Sequence, residues 1–340
     1  MSEGAHTPTP IGAPVRRFPL RPHQLVSDIT PTADVFVLAP IGVPCVDVAA
    51  WRLEVAGLVE RPLTLSFDDI LQFPKQELRA FHQCAGDPRR PTFATRRITN
   101  VIWGGIDLAR VLAGVTIKPG ASLLWASGLD HGEYAGQTVD AYVKDVPLDE
   151  AISDAFLAYE LNGAPLSAEH GFPLRLVMPG YYGTNSVKWL SRLELADGRP
   201  QGLFTTKLYN DPVPPSAEQP AGGSRPVWRT APESVIVSPQ PGQQLSDDEV
   251  QIWGWAWAHR SVRQVEVTID GGRTWRIATL GQPSQRSWQR FHLSWTPEES
   301  GPAVLMSRAT DLNGEVQPQD NARNAIYNVT VDVVAKKGEG

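Results

Sequence analysis

From Trp51 to Val55 apolar and charged positions alternate, with Trp51, Leu53 and Val55 set against Arg52 and Glu54. This period of two is that of a half-buried strand. Ser66 then stands three residues before Asp69, Ile70 and Phe73 share a face and Pro74 stops the turn. A short capped helix is therefore expected there. A second is expected after Asp107, where Leu108, Val111 and Leu112 line one face and Gly114 offers a left-handed exit. Residues 1 to 20, rich in Pro, Gly, Thr and Ala without periodicity, read as a mobile arm or a wrap over the body.

The pattern changes in residues 211–232, where Pro and Gly crowd and few apolar side chains could dock the chain. That stretch reads as a linker between a first domain, 21–210, and a second, 233–335. Beyond it the signal is almost purely of strands. Glu249 to Ala258 alternates, with Trp253, Trp255 and Trp257 on one face and Val250, Ile252 and Ala256 on the other. Val265, Val267 and Ile269 run into Asp270-Gly271-Gly272, whose glycines suit a tight hairpin with a return strand near Trp275. Tyr327, Val329, Val331 and Val333 mark a last strand. Short strands at this spacing predict an antiparallel, immunoglobulin-like sandwich of about 100 residues.

Length and composition fit this division. The chain has 340 residues, 41% hydrophobic and 20% charged, enough for two domains with cores of their own. With 31 basic and 37 acidic side chains the formal net charge is −6, so no broad basic field exists for nucleic acid or an anionic membrane surface. No apolar run approaches the roughly 20 residues that span a bilayer. Arg16-Arg17 is followed by Phe18-Pro19-Leu20-Arg21-Pro22 and by no apolar export segment. A cytoplasmic location is expected of the chain as written, and a periplasmic one if a leader precedes it.

Only Cys45 and Cys84 are present, which excludes a disulfide framework and a four-cysteine zinc site. Cys45, in Gly42-Val43-Pro44-Cys45, reads as structural. Cys84 lies in Phe81-His82-Gln83-Cys84-Ala85-Gly86-Asp87-Pro88-Arg89-Arg90, just before a glycine turn and a pair of arginines. Cationic neighbours favour the thiolate, the form that ligates a soft metal or attacks as a nucleophile.

Cys84-Ala85-Gly86 with its arginine pair resembles the molybdenum-binding segment of the sulfite oxidase family, which includes the molybdenum domain of plant-type nitrate reductases. More specific are Ala158 through Leu166, then His170-Gly171-Phe172-Pro173-Leu174-Arg175-Leu176-Val177-Met178-Pro179-Gly180, and Gly183 through Val187-Lys188-Trp189-Leu190. The resemblance runs from about Trp51 to the last strand. It implies an α+β architecture: a mixed α/β molybdopterin domain followed by an immunoglobulin-like dimerisation domain. It also implies a molybdopterin whose dithiolene, with the Cys84 sulfur, surrounds molybdenum. By the same resemblance Asp130, His170, Arg175, Ser186 and Lys188 should hold the pterin and its phosphate, with Arg89 and Arg90 adding positive charge. Tyr142 falls where the family carries an active-site tyrosine, and Arg290 near an arginine that the second domain contributes to catalysis. Arg and Lys suit phosphate through charge-assisted hydrogen bonds, and a phenol can donate one while staying neutral.

The pattern also departs from the family. Leu38 and Ile102 stand where arginines are expected, Pro40 where a pterin-contacting histidine is expected, and Asp87-Pro88 replaces a common asparagine. A pocket without those guanidinium groups loses bidentate recognition of a small dianion. The expected function is oxygen-atom transfer to a small oxyanion or sulfur-containing substrate, with sulfite itself disfavoured. No haem-binding motif occurs, so electrons should pass to a separate acceptor such as a cytochrome. A homodimer is expected through the second domain, where six of the 11 tryptophans lie and where the stripe of Trp253, Trp255 and Trp257 could form an interface. Two rivals are a molybdenum-dependent reductase of sulfoxides or another oxidised substrate and a non-enzymatic interaction protein with a vestigial cofactor domain.

Overall fold

The alternation after Trp51 becomes the strand Arg52–Gly57, in which Leu53 and Val55 are fully buried. The structure, a computed structural model, describes residues 10–18, 20–86, 97–215, 221–246, 248–320 and 322–334. Arg89 and Arg90 lie outside the described residues. The described residues form two units. One contains Phe36–Leu78 and Ile102–Trp228 with the N-terminal segment to Arg17, and the other contains Phe18–Val35, Arg79–Val101 and the chain from Arg229 onward. The sequence boundaries at 20 and 210 therefore do not coincide with the units, because two early segments group with the C-terminal strands.

In the first unit a five-stranded sheet runs in the order Val143–Pro147, Leu123–Gly128, Leu190–Ala196, Arg52–Gly57, Leu63–Ser66. Its one parallel pair joins Leu190–Ala196 to Arg52–Gly57. Phe156–Leu161 is the centre of a second sheet, pairing with Ala164–Pro165, Arg175–Val177 and Ile98–Asp107. Leu53, Val55, Ile106, Leu124, Leu157, Leu176 and Leu193 form the core, so the strands bracket one apolar layer. The helix Phe67–Leu71 starts at Ser66, whose hydroxyl accepts from the Asp69 amide while the Asp69 carboxylate accepts from the Ser66 amide. The helix Leu108–Leu112 ends differently from expectation. Ala113 stays right-handed and Val115 N–H donates to Leu112 O, so Gly114 has no left-handed turn to make.

Two segments read as irregular are ordered by pairing. Val15–Arg17 pairs antiparallel with Val37–Ala39, placing Arg16 opposite Leu38. Within the linker, Asn210–Val213 pairs with Gly223–Pro226 as a two-stranded ribbon, an edge arrangement that tolerates prolines because few N–H groups must donate.

The second unit is the expected sandwich. One sheet orders Glu233–Ser238, Val250–Trp257, Gln289–Trp295 and Thr279–Leu280. The other orders Gln244–Leu245, Val329–Val333, Gly301–Asp311, Val262–Thr268 and Arg276–Ile277. Ile252, Val265, Val267, Phe291, Leu305 and Val331 fill the space between them. The hairpin after Thr268 has Gly271 and Gly272 at positive φ, and its return strand Arg276–Ile277 pairs as expected.

Strand Val250–Trp257 is buried on both faces. Ile252 and Ala256 belong to the sandwich core, while Trp255 and Trp257 pack with Leu25, Phe81, Ile98 and Trp288. The Trp255 ring stacks on Trp288 at 4.7 Å and its Nε1 donates to Leu25 O at 2.7 Å. Trp255 and Trp257 are thus covered by segments of their own chain, and of the stripe only Trp253 stays partly exposed. The three rings do not form the open dimer face suggested by alternation alone.

Candidate functional site

In the first unit the chain leaves the strand Leu123–Gly128 toward Asp130, and the turn Ala168–His170 precedes the strand Arg175–Val177. The turn Gly183–Asn185 then leads through Ser186 to Lys188. These connections bring one carboxylate and three basic side chains together. Arg175 is buried, and its two terminal nitrogens donate to His170 O at 3.0 Å and Ser186 O at 3.3 Å. Its guanidinium lies 4.7 Å from the centre of the Trp103 ring. Ser186 Oγ accepts from Met178 N–H at 3.0 Å, which ties the two segments. Lys188 is half-buried, and its ammonium donates to Glu169 O at 2.9 Å above the Trp189 ring. His170 Nδ1 meets Ser167 Oγ at 2.8 Å.

Three buried atoms in this group have no hydrogen-bond partner: Asp130 Oδ1, His170 Nε2 and Arg175 Nε. Their environment shifts their proton affinities accordingly. Burial pushes the Asp130 carboxyl up to about 7 against the pull of Lys188. Burial, then Arg175 and Lys188, pulls the His170 imidazole down to about 4. Burial pulls Arg175 down to about 9, and burial together with Arg175 pulls Lys188 down to about 7. Uncompensated buried charge is costly, and only added hydrogen bonds and opposite charge offset it. The backbone approaches closely here as well. A Cβ on Gly128 would stand 2.5 Å from Asp130 Oδ1 and 2.6 Å from Lys188 O, so only glycine fits.

The sequence-expected residues Asp130, His170, Arg175, Ser186 and Lys188 therefore converge. Tyr142 is linked to them through the backbone, its N–H donating to Asp130 O at 3.1 Å. Its phenol donates to Thr184 O at 2.9 Å, and its ring lies 4.4 Å from that of Phe204. The hydroxyl thus also braces the 183–185 turn, a role that the sequence did not suggest. Cys84 and Arg290 belong to the second unit. Arg290 is exposed on the strand Gln289–Trp295 with its guanidinium 4.4 Å from the Trp253 ring centre. That placement leaves the guanidinium open to solvent and packed on an indole.

Cys84 is buried at the end of the strand Gln76–Gln83. Its Sγ accepts from Gly86 N–H at 3.5 Å and stands 4.0 Å from a terminal nitrogen of Arg97. A Cβ on Gly86 would come within 2.8 Å of that guanidinium, so the glycine opens the path by which Arg97 reaches the sulfur. Among the described residues, then, Arg97 is the cation beside the thiol. Sequence reading missed it, as it missed Ser167, Glu169 and Thr184. The signal for Arg97 was faint, an arginine of the pair Arg96-Arg97 well beyond the motif.

The donors of each unit define a class of protein. In the first unit two basic side chains, a neutral imidazole and backbone glycines suit a phosphate, and the unpartnered Asp130 oxygen suits the N–H groups of a heterocycle. In the second unit the Cys84 sulfur suits a soft metal. Each group by itself fits its part of a molybdopterin and the metal it carries. Residues 40–204 match the oxidoreductase molybdopterin-binding domain and residues 225–333 the molybdenum-cofactor oxidoreductase dimerisation domain. The chain is 32% identical to human mitochondrial sulfite oxidase over 327 residues, covering 87% of this chain and 59% of that protein. With Arabidopsis thaliana sulfite oxidase the identity is 30%, covering 87% and 84%. The crystal structure of the sulfane dehydrogenase SoxCD from Paracoccus pantotrophus superposes with a TM-score of 0.77 at 28% identity, covering 97% of this chain and 87% of that one. The chain belongs to the sulfite oxidase family of molybdopterin-dependent oxidoreductases. It spans about three-fifths of the length of the mitochondrial sulfite oxidases that it matches.

Proposed function

We propose that the chain is a molybdenum-dependent oxidoreductase acting on a small sulfur-containing substrate, with electrons passed to a separate acceptor. The observation that carries this reading is the group of unpartnered buried atoms on Asp130, His170 and Arg175, beside Lys188. When bound, the cofactor supplies two-electron redox chemistry coupled to oxygen-atom transfer. The protein's part is to bind and orient it. Arg175 and Lys188 would hold its phosphate, Asp130 would accept from the pterin, and Cys84 would ligate the metal.

Leu38 and Ile102 bear on the substrate. Leu38 is half-buried on the strand Val37–Ala39, and Ile102 is half-buried with its N–H held by Asn162 Oδ1 at 3.0 Å. Neither can bind an oxyanion, which favours a less charged sulfur substrate, such as a sulfane, over sulfite. The dimerisation-domain match supports a homodimer through residues 225–333, on a surface other than the buried Trp255 and Trp257. Among the described residues no helix is long and apolar enough to cross a membrane.

The test is elemental analysis of purified protein followed by turnover with sulfite and with sulfane donors, using an artificial acceptor. About one molybdenum per chain and a higher kcat/KM for the sulfane donor are expected. Protein free of molybdenum from a cofactor-competent host would overturn the reading.

A further inference from the structure

The residue preceding the thiol carries a side chain that nothing in the cofactor cradle uses. Gln83 is the last residue of its strand and is fully buried. Its carboxamide oxygen accepts from Trp257 Nε1 at 3.0 Å. Its nitrogen donates to the Glu233 carboxylate and, at 3.4 Å, to Asn324 Oδ1. Three of the four bonds open to a carboxamide are thus made, all to residues of the sandwich strands and their last loop. Those partners are fixed in turn. Trp257 is buried between Phe81 and Trp288, and Asn324 Nδ2 donates to Ala231 O at 2.9 Å. The other side of the turn is held too, since Arg323 donates to Ala85 O and Cys84 N–H to Arg97 O.

Successive side chains of an extended segment leave on opposite sides. Gln83 therefore anchors one side of the strand end while Cys84 presents its sulfur on the other. A cysteine has a single side-chain torsion before its sulfur, so a tilt of the 83–84 peptide is passed to Sγ almost undiminished. A metal ligand must be held to about 0.5 Å, and supporting groups supply that restraint. We propose that Gln83 is a positioning residue for the Cys84 thiolate, clamped by Trp257, Glu233 and Asn324. Residues 229–334 are then part of the support of the metal ligand, beyond any role in dimerisation. This rests on the reading that Cys84 ligates molybdenum.

The test uses the holoenzyme reduced with dithionite to the Mo(V) state. Its readouts are the Mo(V) electron paramagnetic resonance spectrum, the charge-transfer band from the cysteine thiolate to molybdenum as distinct from that of the dithiolene, and the rate of molybdenum release into a chelator. Gln83→Leu and Trp257→Phe should each shift the spectrum and the band and speed release by about tenfold. Phe291→Leu, in the sandwich core, is the control. It should lower Tm by at least as much and leave both spectra at their wild-type positions. Should Gln83→Leu fail to fold, Trp257→Phe decides, because it keeps an aromatic ring in place and removes the Nε1 donor to Gln83. Wild-type spectra in Gln83→Leu or Trp257→Phe, with only Tm lowered, would overturn the proposal. Cys84→Ser separates the two readings. If it abolishes the band while the Gln83 and Trp257 variants do not move it, only the positioning role fails. If the band survives in Cys84→Ser, both fail.

Discussion

Asp130→Asn changes one buried carboxylate into a neutral group of the same shape, and it should make the cofactor-free protein more stable at pH 8. Burial raises this carboxyl from 3.8 to about 7. At ~1.4 kcal/mol per pH unit that gap sets a ceiling of ~4 kcal/mol on the cost of holding the charge. That gap already contains the attraction of Lys188, and the carboxamide of the variant still buries an unpartnered Oδ1, which takes back part of the gain. A net gain of ~2 kcal/mol is expected. The sign with pH follows from linkage. A carboxyl whose folded value is raised costs nothing below pH 3.8, and the folded state loses stability as pH rises toward 7. The advantage of the variant should therefore be full at pH 8 and smaller at pH 5.5. His170, pulled down to about 4 from 6.5, trends the opposite way between those values, but it is common to both proteins and cancels in the difference. Urea denaturation of the two proteins, made in a host that cannot synthesise the cofactor, measures it. Loaded protein should show the reverse, with Asp130→Asn releasing the pterin about ten times faster. A variant that is less stable at pH 8, or equally favoured at both pH values, would mean that Asp130 has a partner and that the cradle is no ligand site.

Cys84→Ser should remove the molybdenum–thiolate charge-transfer band and turnover while Cys45→Ser keeps both, as read by absorption and activity. Tyr142→Phe removes a donor to Thr184 and should cost ~1 kcal/mol in thermal unfolding; a large fall in kcat at unchanged Tm would instead place the phenol on substrate. Leu38→Arg should lower KM for sulfite by at least tenfold if that position faces the substrate, and an unchanged KM would mean that it does not. Lys188→Met should hasten loss of the pterin from the loaded protein, and retention at the wild-type rate would exclude the ammonium from the phosphate site.

The fold was legible where burial follows local alternation. The strands Arg52–Gly57 and Val262–Thr268, the Ser66 cap and the Asp270 hairpin need only near neighbours to be read. It was illegible where an element is covered on both sides. Trp255 and Trp257 alternate as an exposed or interfacial face would, and only the return of Leu25, Phe81 and Ile98 from far upstream buries them. The same return makes the division of the chain discontinuous, which no composition shift announces. The cradle residues were named through motif resemblance rather than through any local physical signal. Arg97 escaped because what brings it to the sulfur is the bond from Cys84 N–H to Arg97 O, a pairing across 13 positions that no local pattern announces.

The cradle itself says why such residues are kept. Arg175, His170 and Asp130 each leave a buried atom without a partner, and apolar side chains of similar volume would cost less to bury. A stable fold that nonetheless carries all three gains its compensation from outside the chain. A ligand that binds only the folded state adds stability that grows with the logarithm of its concentration over its dissociation constant. The unpaired atoms are therefore a stability deficit of the empty protein that a tightly held anionic cofactor offsets. On this argument the loaded protein should melt well above the empty one, and the difference should shrink whenever any one of the three is replaced by a neutral or apolar residue.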